Sequence, residues 1–128
     1  MIGLFLVALE QVIKFFIIRY FPRLVVENRG LAFGSFENTT ESLYAVSIII
    51  FIIFIWFYPR FWSLVIIASG VIGNLIDRIA RGYVVDYINL GFWPAFNLAD
   101  ILIVLGAIIY GYQIFRHIKR RSNSEARM

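Results

Sequence analysis

Apolar residues fall in four long blocks, and polar residues collect between them. The blocks are residues 2–18, interrupted by Glu10, Gln11 and Lys14, then 43–58, 61–76 and 96–115. A helix needs about 20 residues to cross a bilayer, with a range of about 17–25. The second and third blocks are short by that measure, so each is expected to run a turn into its polar flank. Only Tyr58-Pro59-Arg60-Phe61 separates them. So short a connection makes an antiparallel helical hairpin, with Pro59 blocking one continuous helix. The expected spans are residues 2–19, 43–58, 61–79 and 96–115. Three spans with one re-entrant segment is the competing arrangement. The first block resembles a signal peptide in place but not in make-up. It lacks a basic leading region and a small-residue cleavage site, and it carries Glu10 and Lys14 in its middle. It reads as a retained helix.

Composition narrows the class. The 128 residues are 61% hydrophobic and 16% charged, with mean hydropathy +0.81. Soluble domains run about 45–50% apolar and about 25% charged. So short a chain cannot hide this much apolar surface in one core in water. A soluble globular domain, a disordered chain and a nucleic-acid binder are excluded. An all-α membrane protein of four transmembrane helices is expected, as one domain over residues 1–121, with 122–128 a disordered tail. Without cysteine there is no disulfide, thiol nucleophile or thiolate metal site. The single histidine, His117, lies in a basic tail. No metal and no cofactor are expected.

The net charge of +4 matters through its placement. Arg116, Lys119, Arg120, Arg121 and Arg127 follow the last block, and Arg60 sits in the tight turn. The positive-inside bias puts both on the cytoplasmic side, and four spans then put the N-terminus there too. Segments 19–42 and 77–95 face outward, although Arg19, Arg23, Arg29, Arg78 and Arg81 blur the bias. Trp56 and Trp62 bracket the inner turn and Trp93 marks the outer end, as an aromatic belt would. Asn38-Thr39-Thr40 matches a glycosylation sequon, but reads better as a cap for the second helix with Glu41 in its first turn.

An ionisable residue at a membrane-helix centre costs about 2.5–3.5 kcal/mol, so each one is a functional candidate. Glu10 and Lys14 are spaced i, i+4 in the favourable order. Either they neutralise each other while Lys14 snorkels outward, or Glu10 faces the bundle and orients polar groups on other helices. Adjacent Gln11 favours the second reading. Asn74 and Arg78, and Asp77 and Arg81, form two more i, i+4 pairs. They are either a charged helix end at the interface or, with Gly70 and Gly73, an inward polar patch where helices approach closely. The inward reading is favoured for Asn74 and Arg78.

Asp100 opens the last block and shares a helix face with Asn97. Helix capping is the plain explanation, but a carboxylate one turn inside calls for more. Asp86 lies in Tyr83-Val84-Val85-Asp86-Tyr87-Ile88, a segment too apolar for a free loop, expected to skim the interface or pack on the bundle. It is either a turn residue or half of a carboxylate pair with Asp100. Two carboxylates about 4 Å apart repel by about 4 kcal/mol at an effective dielectric near 20. That holds their deprotonations about 3 apart on the pH scale. One stays protonated while the other is a base at neutral pH. Such a pair activates water without a covalent intermediate, and a membrane edge supplies that water.

Five strings occur in order: Glu10-Gln11-x-x-Lys14, Asn28-Arg29-Gly30-Leu31-Ala32-Phe33-Gly34, Gly73-Asn74-Leu75-Ile76-Asp77-Arg78, Val84-Val85-Asp86-Tyr87-Ile88 and Pro94-Ala95-Phe96-Asn97-Leu98-Ala99-Asp100. Together they resemble lipoprotein signal peptidase (signal peptidase II), the bacterial aspartic protease family of the membrane. The resemblance runs from about residue 5 to about 115. It implies a four-helix fold with both termini cytoplasmic, and cleavage of prolipoproteins before a diacylglyceryl-modified cysteine at the outer face of the plasma membrane. By motif, Asp86 and Asp100 are the implied catalytic pair. Asn28, Asn74, Arg78 and Asn97 are the implied polar supports, and Gly30 and Gly34 let the outer loop turn near substrate. Glu10 and Lys14 are carried as further supports. The resemblance also implies inhibition by cyclic peptide antibiotics such as globomycin and myxovirescin. The first motif usually begins with Asp, and Glu10 keeps the charge while moving it by more than about 1 Å. A supporting role, with Arg78 as a candidate partner, tolerates that shift.

Segments 19–42 and 83–95 are expected to form a loop or β-like cradle over the site, with Phe33, Phe36, Tyr87 and Trp93 as its apolar underside. Phe36 and Trp93 serve equally well as interface anchors. Diacylglyceryl prolipoprotein and membrane lipid are the expected partners of a monomer. Two rival classes stay open on the residues alone. A small proton-coupled exporter uses a lone acid in its first helix, where Glu10 sits, and a non-catalytic assembly subunit makes every acid structural.

Overall fold

The computed structural model describes residues 1–30 and 61–126. The expected second span at 43–58, its turn at Pro59, and Phe33, Gly34, Phe36 and Trp56 lie outside the described residues. Helix α1 spans Ile2–Tyr20 and stops because Pro22 follows, which disfavours helical geometry at Phe21. A 3₁₀ turn at Pro22–Leu24 leads into strand β1, Val26–Asn28. Helix α2 spans Ser63–Arg81 and ends at Gly82, whose φ of 78° is the left-handed cap that turns the chain into strand β2, Val84–Asp86. Helix α3 spans Leu98–Glu125. The molecule is thus mostly helical, with α2 and α3 long and apolar enough to cross a membrane. The 19 residues of α1 also carry Glu10, Lys14 and Arg19.

The last helix is longer than expected. Residues 122–125 were expected in a disordered tail, but α3 continues through Glu125. Arg121 Nε lies 3.3 Å from Glu125 Oε1, and Ser124 Oγ donates to the Arg121 carbonyl at 2.7 Å. Such i, i+4 and i, i+3 contacts extend a helix past its apolar run.

Packing is inverted relative to a soluble protein. Among the described residues, the buried apolar side chains are Leu64, Val84, Val85, Ala99 and Leu102. The buried polar ones are Glu10, Lys14, Ser63, Ser69, Asn74, Asp77, Asp86 and Asn97. Large apolar side chains such as Phe5, Phe15, Ile79, Val104 and Ile108 face outward. Lipid makes that arrangement favourable, and polar side chains then hold the helices together.

The α2–α3 contact depends on two glycines. A Cβ at Gly70 would run into the Ala99 carbonyl, and one at Gly106 would lie 2.6 Å from Ile67 Cγ1 and 3.1 Å from the Ser63 carbonyl. The obstacle at Gly70 is backbone, so relief requires the helices to separate. Gly70→Ala should therefore cost roughly 1–3 kcal/mol in thermal unfolding in detergent, the usual overpacking range. Gly111→Ala, with nothing within 4 Å of its Cβ, should be neutral or slightly stabilising.

The strands form a two-stranded antiparallel ladder with Val26 opposite Asp86, Glu27 opposite Val85 and Asn28 opposite Val84. This register sets Asn28 diagonally across from Asp86 on one face. Beyond β2 the chain doubles back. Ile88 and Phe96 exchange backbone hydrogen bonds of 2.9 and 3.0 Å, and Gly91 turns at φ 80°. The return delivers Asn97 and the start of α3 beside Asp86.

Candidate active site

Two layers of polar residues meet where α2 ends and α3 begins. The deeper layer is a buried charge cluster. Lys14 on α1 is fully buried, and its ammonium contacts Glu10 Oε1, Asp77 Oδ2 at 2.6 Å and Asn74 Oδ1 at 3.3 Å. Its three donors thus have three acceptors. Asp77 also pairs with Arg81 through Oδ1 and accepts the Val85 N–H at 2.9 Å. Gln11 donates to Glu10 Oε2 at 2.9 Å and to the Gly73 carbonyl at 3.0 Å. Two acids and two cations balance, which is the condition for burying charge without a large penalty.

Above this cluster stand the two aspartates. Asp86, at the end of β2, is 1% exposed. Its Oδ2 accepts from Asn28 Nδ2 at 3.0 Å and its Oδ1 from Asn97 Nδ2 at 2.8 Å. Asp100 is half-buried in the first turn of α3. Its Oδ2 accepts the Asn97 backbone N–H at 3.1 Å, while Asn97 Oδ1 accepts the Asp100 N–H at 3.0 Å. That reciprocal pair is a capping box. Capping, the plain explanation, therefore accounts for one oxygen of Asp100. The other oxygen, Oδ1, accepts from Asn74 Nδ2 at 2.9 Å. Asn97 thus donates to both acids, one through its side chain and one through its backbone.

Electrostatics separate Asp86 from an ordinary surface acid. Burial pushes the Asp86 carboxyl up to about 6, and the charge of Asp100 pushes the same way. The amide of Asn28 is the largest opposing influence.

The layers are joined through Asn74. Its Oδ1 accepts from both Lys14 and Asn97 Nδ2 (3.0 Å), which leaves its Nδ2 to face Asp100. A cation cannot sit beside an NH₂ group, so Lys14 fixes which way that amide points.

The remaining expected supports fall around this core. Arg78 donates to the carbonyl of buried Gly30 at 3.1 Å, holding the chain after β1 over the site. Arg78 was a candidate partner for Glu10, but Glu10 pairs instead with Lys14, one turn along the same helix face, and with its neighbour Gln11. The Gly30 N–H in turn bonds Asn28 Oδ1 at 3.1 Å. Tyr87, expected only as apolar lining, uses its hydroxyl to accept the Leu98 N–H at 3.2 Å. Trp93 is half-exposed. Asp77 was missed as a site residue. Its i, i+4 spacing to Arg81 signalled a pair, but not that α1 would bring Lys14 onto it.

The chain is similar to known proteins over most of its length. A profile for signal peptidase (SPase) II matches residues 2–116. A lipoprotein signal peptidase of Caldanaerobacter subterraneus subsp. tengcongensis is 44% identical over 105 residues, covering 75% of this chain and 72% of the relative. One from Clostridium novyi is 38% identical over 124 residues, covering 87% and 80%. A bacterial membrane enzyme solved by the in meso method at 2.3 Å superposes with a TM-score of 0.76 at 26% identity, covering 95% of this chain and 88% of that one. The chain therefore belongs to the signal peptidase II family, the lipoprotein signal peptidases.

Proposed function

We propose that the chain removes signal peptides from diacylglyceryl-modified prolipoproteins, cutting on the N-terminal side of the lipidated cysteine, with Asp86 and Asp100 as the catalytic pair. The observation that carries this reading is Asn97, which ties both carboxyl groups to one residue at the mouth of the helix bundle. A water between the two acids loses a proton to the ionised carboxylate as its oxygen attacks the scissile carbonyl carbon. The protonated carboxyl, assigned to Asp86 because burial favours its neutral form, polarises the carbonyl oxygen. When the tetrahedral intermediate collapses, the C–N bond breaks and a proton passes to the departing amine. The products are a carboxylate on the signal peptide and a free amino group on the lipidated cysteine.

The rest of the site fixes this pair. Lys14 and Asn97 orient Asn74 toward Asp100, Asn28 holds Asp86, and Arg78 with Gly30 supports the strand pair. The diacylglyceryl chains stay in lipid while the peptide reaches the acids from the side. The basic end of α3 supports a plasma-membrane topology with both termini cytoplasmic and the acids near the outer face. Cyclic peptide antibiotics of the globomycin type would inhibit by occupying the same cleft, and the chain would act as a monomer.

The test is cleavage of a lipid-modified prolipoprotein by purified protein, with the product N-terminus identified across pH. The product should begin at the lipidated cysteine. Because the active form keeps one proton on Asp86, kcat/KM should fall as pH rises through about 6. Asn28→Ala removes a hydrogen bond that favours the ionised form, so it should move that falling limb to higher pH. A limb unmoved by Asn28→Ala would take the role from Asp86, and absence of cleavage together with substrate-driven proton flux in vesicles would favour an exporter.

A further inference from the structure

A cavity lies at the end of the helices away from the aspartates. It encloses about 410 Å³ between the start of α2 and the end of α3. Phe61 and Trp62 line one side, with Tyr112, Arg116, His117 and Arg120 on the other. Asp100 and Arg116 are 16 residues apart on one helix, a rise of about 24 Å. The hydrocarbon core of a bilayer is about 30 Å thick. The cavity therefore lies at the membrane boundary opposite the catalytic pair.

Its lining is specific in composition. Among the described residues it includes two arginines and a histidine, and no acid. Arg116 packs over the Tyr112 ring at 5.8 Å and His117 stands edge-on to Phe61 at 6.4 Å. The acid nearest in sequence, Glu125, is paired to Arg121, outside the lining. The first turn of α2 has no acid and no side-chain cap, so the positive end of its dipole adds to the same field. Around the cavity, exposed Trp62, Phe115 and Ile118 continue the lipid-facing surface. Exposed cations beside an aromatic-lined recess suit a ligand with an anionic head and apolar tails.

We propose that this cavity is a binding site for the phosphodiester headgroup of an anionic phospholipid, with Arg116 and Arg120 on the phosphate and Phe61, Trp62 and Tyr112 against the glycerol and upper acyl chains. The site would anchor the protein in its leaflet and hold the catalytic end at a set depth.

Trp62 reports the site directly. Protein with Trp56 and Trp93 changed to Phe is reconstituted in phosphatidylcholine vesicles containing phosphatidylglycerol. Either one lipid or the other carries bromine on its acyl chains. Brominated phosphatidylglycerol should quench Trp62 several-fold more than its share of the bilayer predicts. Arg116→Gln with Arg120→Gln should abolish that preference. Lys119→Gln with Arg121→Gln, which removes equal charge outside the lining, should leave it intact. Equal quenching by both lipids overturns the proposal. So does equal loss in both double variants, which would mean diffuse attraction to the basic helix end. Loss of the preference on adding inorganic phosphate to the wild-type arm would assign the cavity to a soluble anion and overturn the lipid reading.

Discussion

Purified Asp86→Asn and Asp100→Asn proteins should each cleave a lipid-modified prolipoprotein about 10²–10⁴-fold more slowly than the parent. That is the usual contribution of a positioned acid or base. The two variants should differ in stability in a way that identifies Asp86. Its carboxyl is pushed from 3.8 up to about 6 in the folded protein, chiefly by burial. A raised carboxyl favours the fold while it is protonated. The unfolded chain ionises first, so stability is lost as pH rises from about 4 to about 6, by up to about 3 kcal/mol. Asp86→Asn has no proton to lose, so its unfolding temperature should be flatter over that range. The asparagine keeps only one acceptor for the amides of Asn28 and Asn97, which costs about 1 kcal/mol at all pH values. Turnover near the parent's in either variant, measured on folded protein, would remove the pair from the mechanism.

Lys14→Met should be the most destabilising single change in α1. It leaves Glu10 and Asp77 buried together with only Arg81 as a cation, and breaking a buried pair typically costs about 3–5 kcal/mol. Glu10→Gln with Lys14→Met removes one charge of each sign and leaves the Asp77–Arg81 pair whole. The double variant should recover most of the unfolding temperature. It should not recover activity, because only Asn97 then holds the Asn74 oxygen, and the cation that forbids the flipped amide beside Asp100 is gone. Losing a hydrogen bond to a charged group costs about 1.5–3 kcal/mol, so kcat should stay down about 10- to 100-fold. Recovery of both together would make Lys14 a purely structural residue.

The basis of these expectations was unevenly visible along the chain. Glu10, Lys14 and Asn74 stand out in a row of apolar residues because a polar group at membrane depth has no cheap alternative to a partner. That supported inward placement of Glu10 and Asn74; Lys14, which could have snorkelled outward, is buried with them. Asn97 and Asp100 announce a helix start by their i, i+3 spacing. Asp77 was harder. Its local pairing with Arg81 explains it fully until α1 is packed alongside, and only then does its second oxygen receive Lys14. Arg78 was read as a partner for Glu10 by charge alone, yet it reaches a backbone carbonyl at Gly30. Charge says that a partner is required and not which acceptor lies in range.

The linear sequence by itself determined the membrane-embedded helical class, because transfer of apolar side chains out of water adds up residue by residue whatever their neighbours. It also determined that the last helix begins at Asn97 and that polar residues such as Glu10 and Asn74 had to turn inward, since hydrogen bonds and desolvation impose those locally. Only the tertiary structure decided that Asn97 would touch both Asp86 and Asp100, and that Lys14 would aim the amide between them. Apart from the local Asn97–Asp100 cap, those contacts join residues 11 to 60 positions apart. Their geometry comes from the β1–β2 register and from glycine-permitted helix approach, and no local rule can state it in advance.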